Sequence, residues 1–174
     1  MSNRVFVAAD PHWGHEGVCK FLKSDGSPLR PWDNAKDMDE AMRTLWNETV
    51  KPGDKVYVLG DWAINRKHIV QPVNGDLILI KGNHDIFKLE EYTKVFRDIR
   101  AYHVLGAHRT ILSHIPVHTS QLERWRLNIH GHLHGNVVKI GGTDNDYDQP
   151  DLRFRCVSME QIGFKPILLD EVLA

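Results

Sequence analysis

Three histidines stand within five positions near the end of the chain, in "NIHGHLHGN" (128–136). Imidazole nitrogens are common ligands for borderline divalent metals, and strict alternation on a strand would turn all three rings to one face. The stretch alone leaves open whether they share one metal or have separate jobs. Candidate partners recur along the chain in "DPH" (10–12), "GD" (60–61), "GNHD" (82–85) and "SH" (113–114). Each is weak by itself. An Asp-x-His pair is often a loop or capping pair, and Gly-Asp after a strand is often a turn. His114 before Ile-Pro also reads as a satisfied core histidine, while "GNHD" and "GHLH" could be a tight turn and a surface loop. Together they bring Asp, Asn and His five times over, beside glycines that let backbone turn sharply near an ion. Histidine is also the outlier of the composition, at eleven copies.

The elements that must position these residues follow from the apolar pattern. "RVFVAA" (4–9), "KVYVLG" (55–60) and "DLILIKG" (76–82) are short apolar runs and read as buried strands. A helical turn is expected over 16–22. A helix in "DMDEAMRTLWNETV" carries Met38, Ala41, Met42, Leu45 and Trp46 at helical spacing, and "KPGD" ends it. Residues 65–71 should be helical, which gives strand–helix–strand. After residue 100, "AYHVL", "RTILSH", "LNIHG", "NVVKI", "FRCVSM" and "PILLDEV" read as short strands joined by small loops. The expectation is a single α/β domain over 1–174, with a β-rich, partly antiparallel second half. Two packed sheets with helices outside would accommodate both halves. Each chemical cluster then falls at the carboxyl end of a strand, where open α/β sheets bind ligands.

Bulk composition narrows the function classes. The chain has 174 residues, 41% hydrophobic and 26% charged, enough for one domain with a core. A net charge of -1 offers no global basic field, leaving a local patch as the only electrostatic route to nucleic acid. No apolar run approaches the roughly 20 residues that span a bilayer, and the N-terminus is expected to start a strand rather than act as a signal peptide. Cys19 and Cys156 make no disulfide framework and read as reduced thiols of a cytoplasmic protein.

From Asp10 to His134 the series "DPH", "GD", "GNHD", "SH", "GHLH" resembles the calcineurin-like metallophosphoesterase superfamily, with every ligand position kept. Less specifically, "RCVSMEQIGFKPI" is similar to the closing strands of its small bacterial and phage members. The resemblance implies a two-sheet β-sandwich flanked by helices and two divalent metals. Asp10, His12, Asp61 and His134 would bind the first, and Asp61, Asn83, His114 and His132 the second, with Asp61 bridging. Manganese is the first expectation, with iron, zinc, cobalt or nickel as alternatives; the absence of cysteine ligands argues against a structural zinc site. The implied reaction is phosphoester hydrolysis, mono- or diester on a small nucleotide-like substrate, by a hydroxide held between the metals. His84, with Asn83 beside it, would meet the phosphate and protonate the leaving group, and Asp85 would orient His84, unless Asp85 merely caps the turn.

Smaller expectations attach to other residues. His15 reaches substrate or caps the next helix. Arg30 meets substrate phosphate or is a solvated loop arginine. His118 and Arg124 line the pocket or lie on the surface, and His68, His103 and His108 read as surface or strand residues. Trp32, Trp46, Trp62 and Trp125 read as core or pocket wall. His130 has no place in the ligand pattern and is expected to be a recessed support. "GDWAINRK" departs from the "GDxVDRG" of the superfamily's protein phosphatases, which argues against that role. A non-catalytic scaffold keeping the metal-binding fold is the alternative, disfavoured because His84 and all ligand positions are present.

Overall fold

The computed structural model describes residues 4–140 and 149–174. Two mixed sheets pack face to face. In the first, β1 (Val5–Ala8), β2 (Lys55–Val58), β3 (Asp76–Ile80) and β4 (Asp98–Arg100) are parallel neighbours, and β9 (Ile167–Leu168) runs antiparallel to β1. In the second, β5 (His103–Leu105) is antiparallel to β6 (Thr110–Leu112), while β7 (Leu127–His130) and β8 (Phe154–Cys156) continue in parallel.

Strand alternation builds two cores. Val7, Ala9, Tyr57, Leu59, Ile78 and Ile80 face Leu112, Ile129 and Val157 of the other sheet. Their neighbours Phe6, Ala8, Val56, Val58, Leu77 and Leu79 face outward and meet Met38, Met42 and Trp46 of α1 (Ala35–Thr49). The spacing of those three is the i, i+4, i+8 stripe the sequence pattern predicts. Asn34 starts α1, its Oδ1 accepting the Asp37 N–H at 2.9 Å. A buried strand with apolar residues on both faces is why β1 to β3 read as continuous rather than alternating runs.

Where the structure differs, the causes are local. "NVVKI" forms only an isolated bridge, Lys139 with Pro150. "PILLDEV" keeps a two-residue strand and then turns into α3 (Leu169–Leu173), since its acids suit a first helical turn. The helical segments at 18–20 and 66–68 are single 3-10 turns. β4 and the one-turn α2 (Leu89–Tyr92) lie in a stretch too polar to show a period. The second sheet has one antiparallel pair, so it is more parallel than expected.

The sheets are stitched at the carboxyl edge. Ala9 N–H donates to Val157 O at 2.8 Å, Met159 N–H to Ala9 O at 3.0 Å, and Val157 N–H to His130 O at 2.8 Å. This seam brings the loops after β1, β2, β3, β6, β7 and β8 to one edge.

Candidate metal centre

The side chains expected to carry chemistry converge there. Asp10, His12 and His134 form one group and Asp10, Asp61 and His114 another, the donor atoms of each lying within 4.8 Å of one another. Asp61 lies between imidazoles: Oδ2 is 3.6 Å from His12 Nε2 and Oδ1 is 3.4 Å from His114 Nε2. His114 Nε2 is also 2.7 Å from Asn83 Oδ1, and its ring packs edge-on to His132 at 5.1 Å. His134 stacks on His12 at 5.2 Å. Asp10 also touches both groups. It faces His114 through Nδ1, which already donates to Leu59 O at 2.8 Å. Its Nε2, at hydrogen-bond distance from Asn83 Oδ1, also points at Asp61, so Asp61 has the geometry to be shared.

Two observations fit this set to a cation. Asp10 Oδ1 and both nitrogens of His12 are buried without a hydrogen-bond partner among the described residues. Leaving such groups unpaired costs about 1–3 kcal/mol each, more for a charge, and a metal is one of the few partners that satisfies a carboxylate and an imidazole lone pair together. The second is backbone strain. Asp10, His12, Asp61, His132 and His134 all take left-handed φ, between 51° and 70°, and only Arg109 and Phe164 share this among other described non-glycine residues. Such backbone is uncommon and clusters at functional sites.

Electrostatics separates the two carboxylates. Burial pushes Asp10 up to about 6, against the pull of His114, His134 and a Ser158 hydrogen bond. Burial also pushes Asp61 up, but His114, the His84 N–H and His12 outweigh it and hold Asp61 down to about 2. His114 is correspondingly raised despite its burial, by Asp61 and Asp10. Burial, with Arg30 nearby, drives His12 well below its ordinary value, leaving a neutral imidazole. A permanently ionised Asp61 between neutral or exchangeable imidazoles is a donor set a divalent ion can use.

Supporting contacts fix the rings. Asp10 Oδ2 accepts from Ser158 Oγ at 2.6 Å and from His132 N–H at 2.9 Å. His134 Nδ1 lies 3.1 Å from Glu160 Oε1, which leaves Nε2 for a metal. His130 is buried, donates Nδ1–H to Gly131 O at 2.8 Å, and packs edge-on to Phe154. It belongs to neither ligand group, as its recessed position in the strand predicts. Gly131 has no room for a side chain: a Cβ there would sit 2.6 Å from Asp10 Oδ2 and 2.9 Å from Leu59 O.

One expectation is corrected, at Arg30, and at His118 and Asp85 the structure shows the alternative reading. Arg30 is neither solvated nor free for substrate. It is 1% exposed, with Nε on Glu160 at 2.7 Å and its terminal nitrogens on Pro11 O at 2.8 Å and Asp10 O at 2.6 Å. A buried guanidinium needs its donors met, and these partners take one bond from each of its three nitrogens. His118 is exposed and caps the 3-10 turn at 119–123, accepting the Ser120 N–H at 3.2 Å. Asp85 is the turn cap: its carboxylate accepts from Asp61, Trp62 and Gly82 N–H groups at 2.9, 2.9 and 2.8 Å, and no described bond joins it to the His84 ring.

His84 itself is exposed beside the cluster, its ring 5.5 Å from His12 and its N–H donating to Asp61 Oδ1 at 2.8 Å. His15 stands at the rim, its ring 5.4 Å from His12 and 5.9 Å from Phe21. Arg124 lies over Trp125, away from these contacts. Trp46 and Trp62 are core, and their indole N–H groups donate to Asn74 O and Ile69 O. His68 pairs with Asp39 at 3.3 Å, and His103 stacks on Tyr57. The thiols Cys19 and Cys156 are free, and no described helix is long and apolar enough to cross a membrane.

Ser158 and Glu160 escaped the motif reading because they lie beyond "GHLH". The available signal was positional: "VSME" follows β8 as the other clusters follow their strands.

No protein-family model matches the chain. The uncharacterized protein MJ1445 of Methanocaldococcus jannaschii is 26% identical, covering 98% of this chain and 89% of that protein. The gene 66 protein of Mycobacterium phage D29 is 27% identical, over 80% of this chain and 82% of its own length. Among solved structures, the protein of unknown function AQ665 from Aquifex aeolicus superposes with a TM-score of 0.69 at 22% identity, over 98% of each chain. That likeness establishes a shared fold over the described part of the chain.

Proposed function

We propose that the chain is a metal-dependent phosphoesterase of the calcineurin-like type, hydrolysing a small nucleotide-like mono- or diester of phosphate with two divalent ions. The observation that carries this reading is Asp61: buried, ionised, and facing one histidine with each oxygen. Asp10, His12, Asp61 and His134 would hold one ion, and Asp61, Asn83, His114 and His132 the other, manganese being the first choice and iron, zinc, cobalt or nickel the alternatives. Bound there, the pair would supply Lewis acidity and an activated water.

The chain's own residues do the rest. His84 stands at the open face, where its imidazole can hydrogen-bond a phosphate oxygen and pass a proton to the leaving oxygen. Its N–H tie to Asp61 Oδ1 keeps that ring in register with the shared carboxylate. His15 can donate from the rim. An open cavity of about 430 Å³ beside His132 and His134, walled by Phe21, Leu22 and Leu29, gives room for the organic part of a substrate. A cytoplasmic setting, with free thiols, belongs to the same proposal.

Metal analysis and hydrolysis of bis-p-nitrophenyl phosphate with added manganese test it. About two ions per chain are expected, with turnover lost in His84→Ala and Asp61→Ala and metal lost only in the second. Absence of turnover with every metal would leave a metal-binding scaffold instead.

A further inference from the structure

The ends of β6, β7 and β8 away from the histidines carry a different chemistry. An arginine stands immediately before each of these adjacent parallel strands: Arg109 before Thr110, Arg126 before Leu127, and Arg153 before Phe154. Backbone bonds align them, Arg126 N–H donating to Arg109 O at 2.7 Å and Asn128 N–H to Arg153 O at 2.8 Å. Neighbouring strands lie about 4.8 Å apart, so three guanidinium-bearing positions share one sheet edge. Arg155, within β8, adds a fourth. These four and His108 line an open cleft of about 610 Å³ together with apolar side chains including Leu127, Leu152 and Leu173, and among the described residues no Asp or Glu side chain lines it.

Like charges on neighbouring strands are destabilising unless something offsets them. Among the described residues the offsets are sparse. Asp151 holds Arg153 with bonds of 2.9 and 2.7 Å. Arg109 donates to Glu123 O and Arg124 O, both at 3.2 Å, and Arg155 to Leu152 O at 2.8 Å. Carbonyls fix a guanidinium's direction without cancelling its charge. Arg126 has no side-chain partner among the described residues. Arg109 also adopts the left-handed backbone (φ 48°) otherwise concentrated at the histidine cluster. Leu152 lies 68% exposed beside these charges.

A ligand that answers all of this is anionic at closely spaced points and apolar elsewhere. We propose that the cleft binds a compact organic polyphosphate of the class of nucleoside di- and triphosphates, at a site separate from the histidine cluster. Arginine forks match phosphate oxygens two at a time, adjacent phosphates match guanidiniums at strand spacing, and the leucines receive the organic part. The volume is that of a small-molecule site. The charge is local, since the whole chain carries -1.

Calorimetric titration of the full chain with ATP, without added metal, tests the site. Saturable binding is expected below about 1 mM and weakening with salt. Arg126→Gln, at an exposed position with no partner to strand, should lower affinity about tenfold, the scale of one charge-assisted bond. His132→Ala should leave it unchanged. Pyrophosphate and adenosine serve as the two halves: both should bind more weakly than ATP, pyrophosphate the better of the two. Affinity unchanged in Arg126→Gln, or lost in His132→Ala, would overturn the proposal. So would tighter binding of a single-stranded oligonucleotide than of ATP, which would make the edge a nucleic-acid surface.

Discussion

Replacing Glu160 by glutamine removes one charge and almost no volume, yet three features of the centre rest on that charge. The carboxylate is 2% exposed and its Oε1 serves both Arg30 at 2.7 Å and His134 at 3.1 Å. Burial pushes Glu160 up, but His134 and Arg30 outweigh it and hold it down to about 2 from an ordinary 4.5. A carboxylate so depressed contributes about 3 kcal/mol, fully present above pH 4.5 and lost as pH falls toward 2. Glutamine forfeits this and leaves Arg30 charged and unpaired in the interior, a change that costs about 3–5 kcal/mol. At about 2–4 °C per kcal/mol for a chain of this size, the melting temperature should fall by about 6–20 °C. The freed His134 ring should cost about 10–100-fold in affinity for one metal. Thermal unfolding and metal titration read both effects. Adding Arg30→Met should recover part of the lost stability, because the stranded charge goes with it. Melting within about 2 °C of the parent, with metal affinity intact, would refute the argument that Glu160 anchors this end of the centre.

Three further outcomes follow from the geometry. His130→Ala should retain more metal than His132→Ala, while losing about 2–3 kcal/mol of stability from the buried ring; metal content and chemical denaturation separate the two. Asp85→Asn, which cannot accept all three N–H groups, should cost about 2–4 kcal/mol in unfolding, whereas exposed His84→Ala should leave stability unchanged and reduce only turnover. Asp10, raised to about 6 from 3.8, keeps its proton in the folded state while the unfolded chain has lost it, so metal-free stability should fall as pH rises through that window. Metal must displace that proton at lower pH, so stabilisation by manganese should weaken by about 1.4 kcal/mol for each pH unit below 6, read as the difference in melting with and without metal.

Strands β1 to β3 and helix α1 were legible because their patterns serve packing alone: both faces of each strand are buried, and one stripe of the helix is. The histidines and acids stood out because metal chemistry would demand such side chains at strand ends, and Asp10, His12, Asp61, His114 and His134 do come together there. Both readings of Arg30 set its side chain outward, and the turn cap at Asp85 stood only as the alternative to orienting His84; burial converts a carboxylate or guanidinium into a hub for backbone groups, and burial of an isolated loop residue leaves no periodic trace. Ser158 and Glu160 lay beyond the last motif and become visible only when β8 is seated beside β7. The row of arginines is hidden similarly, since "RT", "RL" and "RF" are far apart until parallel pairing brings them to one edge.

The left-handed turns at Asp10, His12, Asp61, His132 and His134 set the terms on which this chain could drift. At about 1 kcal/mol each they sum to about 5 kcal/mol, a sizeable part of the 5–15 kcal/mol by which a domain is ordinarily stable. Glycine at any of them would relax the backbone while deleting a proposed ligand. A lineage released from the need for metal would therefore gain stability by losing these side chains, and would shed them early. On the proposed reading, a chain that keeps all five bears a standing cost that a bound cation would help to offset.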